Sequence, residues 1–343
     1  MASKAKYRIR NWRDYNKSLV QRGSITVWFS EGAIDRWQAT PTGKRGRPAM
    51  YSDDVLIRFV FHLPLRALEG FLSSLVLVMR LSICTPSYTQ ICRRAQLLGK
   101  DLKRLTKRKI TDLVIDSTGL KVYGEGEWKV RQHGYGKRRT WRKLHLAICP
   151  DSNEILFVKL TDNKTPDHRV YPQFLKRTPR TVKRTYGDGA YDRAMCYRAN
   201  FDHGSSPIIP PQKKARYRVN PPEYLQERNK AVSEICGLGG DVDARKLWKK
   251  LKGYHLRSLA ETGMYRFKIL FGGNLKSRTF QGQQSEGYVK SKALNIMTNL
   301  GMPQSERIAA QNLSLSQNLT HRSHWLSGEI TRPRFSKIGR AHV

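Results

Sequence analysis

The sequence predicts a mixed α/β fold with one central sheet, preceded by a small helical region. Over residues 52–108 the apolar residues recur at helical spacing, whereas from residue 110 they alternate with polar residues, as they do in strands. Further along the chain, strand-like and helix-like segments alternate. This order is typical of one sheet covered by helices.

The helical region favours a helical pair that ends in a basic helix. Pro64 opens a helix predicted over Leu65–Leu81, because proline suits the first turn of a helix. The segment Thr85-Pro86-Ser87 then forms a tight turn and a cap before a basic helix that starts near Tyr88. Such a pair fits a helix-turn-helix, in which Arg93 and Arg94 would contact phosphates, or a plain helical hairpin.

The part that begins at residue 110 starts with three predicted strands in succession. Their sequences are ITDLVIDSTGLKVYG, WRKLHLAICP and EILFVKLTD. A helix over Pro166–Lys176, a strand TVKRTYGDG, a helix AYDRAMCYRANFDHG and a short strand SPIIPP follow. Residues 211–245 lack a clear period and are predicted to be an insertion, and residues 246–271 are predicted to form one long helix.

These patterns divide the chain into four parts. They are an N-terminal segment with a basic linker (1–50), a helical domain (51–109), an α/β domain (110–300) and a disordered or artefactual tail (301–343). The linker contains Arg45-Gly46-Arg47-Pro48, which resembles an AT-hook core whose arginines enter the minor groove of DNA. A solvated basic linker is the other interpretation of the same four residues.

The charge balance indicates a polyanionic partner. The chain has 64 Lys and Arg against 27 Asp and Glu, a formal net charge of +37, spread from end to end. Nucleic acid is the usual partner of such a chain. A membrane partner is not expected, because the most apolar stretch, Phe71–Met79, is far shorter than the roughly 20 residues of a spanning helix.

The termini and the cysteines favour a cytoplasmic protein. The N-terminal MASKAKYRIR lacks the apolar centre of a signal peptide. The 5 cysteines include no CxxC pair. We therefore expect neither a disulfide framework nor a zinc knuckle, and we expect a reducing cytoplasm.

Acidic residues stand out in so basic a chain, and one of them lies within a predicted strand and another at the end of one. Asp116 comes after Leu-Val-Ile, where a buried carboxylate needs a partner such as a metal, although it could instead cap the following turn. Asp188 lies between Gly187 and Gly189 at a strand end, where α/β sheets often bind ligands. Asp192 competes with Asp188 but fits better in the first turn of the next helix.

The third candidate acid is Glu261. Tyr254, Arg257, Glu261 and Lys268 fall at offsets 0, 3, 7 and 14, which would put them within roughly 60° on one face of a helix. Such a face could hold a metal through the acid and DNA phosphates through its cations. The alternative is an ordinary solvated face with ion pairs.

Three carboxylates suit one kind of metal chemistry. Mg²⁺ prefers hard oxygen ligands, and phosphoryl transfer on DNA uses two such ions about 4 Å apart. We therefore predict that Asp116, Asp188 and Glu261 are both catalytic and metal-binding, with Mn²⁺ able to replace Mg²⁺.

The same residues resemble the DDE transposases, specifically the insertion sequence 5 family. The resemblance rests on Tyr254-x₂-Arg257-x₃-Glu261-x₆-Lys268, VIDSTGLKV and YGDGAYD, together with NWRDYNKSLVQRGSITVWF and HLPLRALEGFLSSL. It covers about residues 7–308. Gly263, two residues after Glu261, departs from the helix former expected there.

The resemblance implies a ribonuclease H-like catalytic core, two Mg²⁺ ions and recognition of the inverted repeats at the ends of a mobile element. The expected partners are those repeats and target DNA, bound by a homodimer or a larger oligomer. The expected location is the bacterial nucleoid. The alternatives are a catalytically dead remnant that only binds DNA and a hydrolytic nuclease on the same fold.

Overall fold

A computed structural model describes residues 7–28, 55–97, 109–122 and 141–308. Within these ranges the chain forms two compact units, one of residues 7–17 with 302–308 and the other of the described residues between 18 and 301. In the order of the chain, the helices are α1 (Trp12–Arg22), α2 (Ile25–Trp28), α3 (Val55–Val60), α4 (Leu65–Val78), α5 (Tyr88–Leu97), α6 (Tyr171–Leu175), α7 (Ala194–His203), α8 (Gln226–Gly237), α9 (Val242–Leu251), α10 (Ser258–Phe271) and α11 (Phe280–Leu300). The strands are β1 (Tyr7–Ile9), β2 (Asp112–Val122), β3 (Trp141–Ile148), β4 (Ile155–Asp162), β5 (Arg184–Tyr186), β6 (Ser206–Ile208), β7 (Asn274–Leu275) and β8 (Ser305–Arg307).

The smaller unit contains one antiparallel pair of short strands. β1 pairs with β8, with Tyr7 opposite Arg307. The side chain of Asn11 ties the two segments together, since it donates to the carbonyl of Met302 (3.0 Å) and accepts from the amide of Gln304 (2.7 Å). Ordered structure therefore extends into the range that we predicted to be a tail, while residues 309–343 lie outside the described part.

The larger unit is built on a mixed sheet in the order β4-β3-β2-β5-β6, with β7 also paired to β2. β3 and β4 run antiparallel to their neighbours, whereas β5 and β7 run parallel to β2. The Leu113-Val114-Ile115 run of β2 is buried on both faces, as expected of a central strand. The predicted mixed α/β fold with one central sheet is confirmed.

The two faces of the sheet carry separate cores. On one face Val114, Leu144 and Ile148 pack with α10, α11 and the α3–α5 helices. On the other face Leu113 and Ile115 pack with α6 and α7. The α3–α5 helices therefore share the core of the sheet, within the same compact unit. The division into separate domains at residues 51–109 and 110–300 stays a prediction.

The helical region confirms the predicted cap but not the tight turn. Ser87 and Gln90 form a reciprocal capping box at the start of α5: the Ser87 amide donates to Gln90 Oε1 at 2.9 Å, and the Gln90 amide donates to Ser87 Oγ at 3.4 Å. The link between α4 and α5, however, spans residues 79–87. A helix-turn-helix uses a turn of about three or four residues, so the predicted tight turn is wrong.

The predicted long helix over residues 246–271 is also wrong. α9 ends at Leu251, and Gly253 adopts the left-handed conformation with φ 64°. Tyr254–Arg257 then form a 3₁₀ turn before α10 begins at Ser258. The left-handed glycine breaks the helix just before the residues of interest, so Tyr254 and Arg257 do not share an α-helical face with Glu261.

The predicted insertion at residues 211–245 is partly helical. It contains a 3₁₀ turn at Glu223–Leu225, all of α8 and the start of α9. Asn229 on α8 fixes the preceding loop, since its side chain accepts from the Arg218 amide and donates to the Arg218 carbonyl.

Gly263 is required by close packing between α10 and β3. A Cβ at this position would lie 2.6 Å from Cδ1 of Ile148, which is itself buried in the core. The glycine that departs from the family pattern therefore lets the helix carrying Glu261 approach the sheet.

We expect Gly263→Ala to lower the free energy of unfolding by about 1–3 kcal/mol through overpacking. This would occur although alanine is the better helix former by about 1 kcal/mol. Urea denaturation measures the change. The matched control is Gly70→Ala on α4, where a Cβ meets no atom within 4 Å, and it should stabilise the protein. The cost of Gly263→Ala should shrink in an Ile148→Val background, and an equal cost in both backgrounds would contradict the packing argument.

Candidate active site

Asp116 places a carboxylate in the middle of β2. The residue is 9% exposed. It lies opposite Leu146 of β3 and on the same face as Val114, which is the face covered by α10. Its Oδ1 accepts a hydrogen bond from the Ser117 amide at 2.8 Å. Burial of this carboxylate requires compensating charge or hydrogen bonds.

Asp188 follows the neighbouring parallel strand. Tyr186 of β5 pairs with Val114 of β2. Asp188 and Asp116 each lie two residues further along these parallel strands, so the register places them side by side. Asp188 Oδ1 accepts from the Ala190 amide at 2.9 Å and caps a 3₁₀ turn. The predicted position at a strand end is confirmed.

Gly187 is needed for the turn after β5. A Cβ on this residue would lie 2.9 Å from the ring of Tyr191. The buried ring of Tyr191 thus packs directly against the backbone next to Asp188.

Arg257 connects two of the three candidate acids. Its Nη1 donates to Asp116 Oδ2 at 2.9 Å, and its Nη2 donates to Glu261 Oε1. The guanidinium carbon lies 5.9 Å from the ring centroid of Tyr254. Glu261 itself is more than half exposed, on the first turn of α10. The ion-pair alternative that the sequence left open for this segment is therefore present, and it includes a buried partner on the sheet.

The pKa of Asp116 depends on its burial and on the charged groups around it. Burial raises the pKa of its carboxyl group to about 6. The Ser117 amide and the Arg257 guanidinium oppose this shift, whereas the negative charges of Asp188 and Glu261 add to it. Asp188 and Glu261 therefore lie close enough to Asp116 to disfavour ionisation of its carboxyl group.

Tyr254 lies in the same environment. Burial raises the pKa of its phenol; Arg257 opposes the shift, and Asp188, Asp116 and Glu261 add to it. Lys249 of α9 lies 5.3 Å from the centroid of the Tyr254 ring. The ring is thus flanked by two cations next to three carboxylates.

The donor set fits a hard divalent cation. Within the described ranges, no group of three or more His, Cys, Asp or Glu side chains stands ready to hold an ion. Arg257 instead supplies the positive charge between Asp116 and Glu261. Burial, and to a smaller extent two other carboxylates, raise the pKa of Asp116, so an added cation would stabilise its ionised form. Oxygen ligands favour Mg²⁺ or Mn²⁺.

Asp192 belongs to the scaffold and not to this acidic group. It is buried, and its carboxylate accepts from Arg228 (2.8 Å), from the Tyr197 hydroxyl (3.1 Å) and from the Gln212 amide (2.9 Å). It also precedes α7, which begins at Ala194, so its predicted place in the first turn of that helix is wrong.

The other predicted contacts are spread over the chain. Lys268 is half-buried on α10, with no hydrogen bond or ion pair to the part of the chain that the structure describes. Arg93 is exposed on α5, which also includes Arg94. The AT-hook-like Arg45 and Arg47 lie outside the described residues.

The sequence did not lead us to predict that Tyr191 lies beside the acidic residues. Its hydroxyl is buried, and no described residue accepts or donates a hydrogen bond there. Burial raises the pKa of this phenol, and Asp116, Asp167 and Asp188 add to the shift. The available signal was a tyrosine between two aspartates in YGDGAYD.

Two family matches cover most of the chain. The description "Transposase DDE domain" matches residues 20–125 and, in a second family, residues 107–296. The second match spans more than half of the 343 residues and contains all three candidate acids. The chain belongs to the DDE transposases.

Membership of this family indicates the kind of enzyme and the kind of partner it acts on. DDE transposases are polynucleotidyl transferases or nucleases, their partners are DNA, and their domains generally use divalent metal ions. The mixed sheet with flanking helices is consistent with a ribonuclease H-like DDE domain. Among the described residues of this transposase, no helix is both long and apolar enough to span a membrane.

The raised pKa of Asp116 predicts a pH-dependent stability in metal-free buffer. The native state binds this proton more tightly than the unfolded state, so the stability from this group is present below pH 4 and is lost as pH rises through about 6. Asp116→Asn should therefore be more stable than the wild type by about 1–3 kcal/mol at pH 7.5 and equally stable at pH 4. Urea denaturation in EDTA measures the difference, with exposed Asp202→Asn as the control. Destabilisation by Asp116→Asn at pH 7.5 would contradict the assignment.

Proposed function

We propose that this transposase is of the insertion sequence 5 type, binds the terminal inverted repeats of its element, and cleaves and joins DNA strands with Mg²⁺. The observation that carries the proposal is the placement of the three acids: Arg257 forms ion pairs with Asp116 and Glu261, and Asp188 follows β5, the strand next to Asp116. Each comes from a different element: β2, the turn after β5 and α10. A protein that only bound DNA would gain nothing from three carboxylates that repel phosphate.

Asp116, Asp188 and Glu261 would hold two Mg²⁺ ions, or Mn²⁺ in their place. Such ions supply Lewis-acid activation of the attacking and leaving oxygens of the phosphodiester. The carboxylates gain the counter-charge that the Arg257 guanidinium now provides to two of them. The burial of Asp116 on β2 fixes the position of this ligand before DNA arrives.

Arg257 is suited to exchange partners when DNA binds. Its guanidinium has five donors, of which two now serve Asp116 and Glu261. A DNA phosphate accepts the same bidentate geometry as a carboxylate. Arg257 would therefore move from the acids to a phosphate beside the Tyr254 ring, and Lys268 would contact a second phosphate further along α10.

Transposition joins two element ends, which favours two active sites working together. We propose that a homodimer or a larger oligomer assembles on the inverted repeats. This assembly would act on the nucleoid in the bacterial cytoplasm. The basic composition, with a formal charge of +37, would promote encounter with both the element and the target DNA.

The decisive experiment replaces each acid by its neutral isostere. We expect Asp116→Asn, Asp188→Asn and Glu261→Gln each to lower cleavage of a labelled inverted-repeat end about 100-fold or more in Mg²⁺. DNA affinity should be unchanged or slightly higher, because each change removes a negative charge. Asp202→Asn is the matched control, since this exposed acid lies on α7. Near-normal cleavage by any of the three variants would remove that residue from the site.

The same assay distinguishes strand transfer from hydrolysis. With a target plasmid present, joined products are expected in Mg²⁺ and Mn²⁺ and none in EDTA. Released ends without joined products would indicate a hydrolytic nuclease. A strict requirement for Zn²⁺ would contradict the carboxylate site.

Lys268 provides a separate test of DNA contact. We expect Lys268→Gln to weaken binding of the inverted-repeat end and to lower the slope of log affinity against log salt by about 0.9, the value for one phosphate contact. The control is Lys183→Gln, an exposed lysine just before β5. Equal slopes for the two variants would show that Lys268 makes no phosphate contact.

A further inference from the structure

A cavity of about 240 Å³ lies within the larger unit, away from the three acids. One part of its wall is apolar and includes Phe59 and Phe271. The other part carries four nitrogen-bearing side chains, which are Arg58, His62, Lys276 and Lys290. The lining residues of the cavity therefore come from four places: the α3–α4 segment, the end of α10, the position just after β7, and α11.

The cations of this cavity exceed the negative charge available to them. Lys290 pairs with Glu286 at 2.7 Å, and both side chains are almost completely buried. Glu286 also accepts from the backbone amides of Lys276 and Ser277 at 2.9 Å each. The Glu286 carboxylate is thus fully used, and no other described acid pairs with Arg58 or with the Lys276 side chain.

Arg58 is a partly buried guanidinium without a hydrogen-bond acceptor among the described residues. Its side chain stacks on the ring of Phe59, with 5.1 Å from the guanidinium carbon to the ring centroid. Burial lowers the pKa of this group, and Glu286 opposes the shift. Five donors at the wall of a cavity without an acceptor favour an anion supplied from outside.

The backbone next to Arg58 is strained in a way that shapes the cavity. His62 has φ 55°, a left-handed conformation that is uncommon for a residue other than glycine or asparagine. The Leu63 amide bonds to the Arg58 carbonyl at 3.0 Å, as in a Schellman motif. Glycine usually takes the left-handed position, whereas a histidine here adds a further donor to the cavity wall.

The cavity lies at a defined separation from Asp116. Leu275 pairs with Val122 of β2, and Lys276 is the next residue. Val122 is six residues beyond Asp116 on β2, which is roughly 20 Å at about 3.3 Å per residue. B-DNA rises about 3.4 Å per base pair, so this separation corresponds to roughly six base pairs.

We propose that this cavity binds one backbone phosphate of the DNA, roughly six base pairs from the phosphate that is cut at Asp116. Arg58 and Lys276 supply the uncompensated charge, and the apolar wall receives the adjoining deoxyribose. The inference rests on the proposed function, because it requires one element end to reach both Asp116 and the cavity, with its axis parallel to the direction of β2.

The test compares salt-dependent binding of an inverted-repeat duplex. Arg58→Gln and Lys276→Gln should each weaken binding several-fold and lower the salt slope by about 0.9, whereas Lys183→Gln should match the wild type. The double variant should lose no more slope than either single variant, because both residues serve one phosphate. Thermal denaturation confirms that each variant is folded, and exposed Lys276 remains informative if Arg58→Gln is unstable.

Each other outcome overturns the inference. A wild-type slope for both single variants removes the cavity from DNA binding, while the acid variants still test the proposed function by cleavage. A loss near twice the single value in the double variant indicates two separate phosphates. The cavity would instead bind a free anion if two results occur together. Inorganic phosphate would stabilise the wild type but not Arg58→Gln, and the salt slopes of DNA binding would be unchanged in both single variants. No salt-dependent binding by the wild type would defeat both proposals.

Discussion

The buried carboxylate of Asp116 is the constraint around which the larger unit is arranged. A charge in the central strand of a sheet is unfavourable unless neighbouring groups compensate it. The compensation comes from the Ser117 amide next to it and from Arg257, which precedes α10. Because the guanidinium must reach β2, the 3₁₀ turn that carries it has a fixed place against the sheet. Glu261, four residues later, is positioned by the same ion-pair network.

The packing of α10 supports this arrangement from the apolar side. Gly263 allows the helix to approach Ile148 closely, so the face behind Glu261 lies directly on the sheet. α11 then packs against β4, α3 and α5, and it carries the buried Glu286–Lys290 pair. The pair also binds the backbone around β7, which joins the edge of β2. The geometry of the acidic group and the packing of the core are therefore maintained by the same two helices.

The sequence predicted the sheet better than the helices for physical reasons. β2, β3 and β4 each contain a short run of buried apolar residues, and the predicted strand segments include their observed bounds. α11 was not predicted because its buried face is largely polar, with Gln283, Ser285 and Asn295 inside. The break at Gly253 depends on one left-handed residue, which a pattern of apolar spacing does not encode. The acids stood out against a basic chain, but the contact from Arg257 to Asp116 joins residues 141 apart and has no local signal.

The order of the three acids along the chain affects when the protein can act during synthesis. Asp116 leaves the ribosome long before Glu261, and α11 follows later still. At about 5–20 residues per second, roughly 7–30 s separate the synthesis of the first and the last of these acids. During that time the nascent chain already carries much of its positive charge but only part of its carboxylate group. On the proposed function, a chain still attached to its ribosome would attract nucleic acid before it could cut it, and translation itself would delay the onset of cleavage.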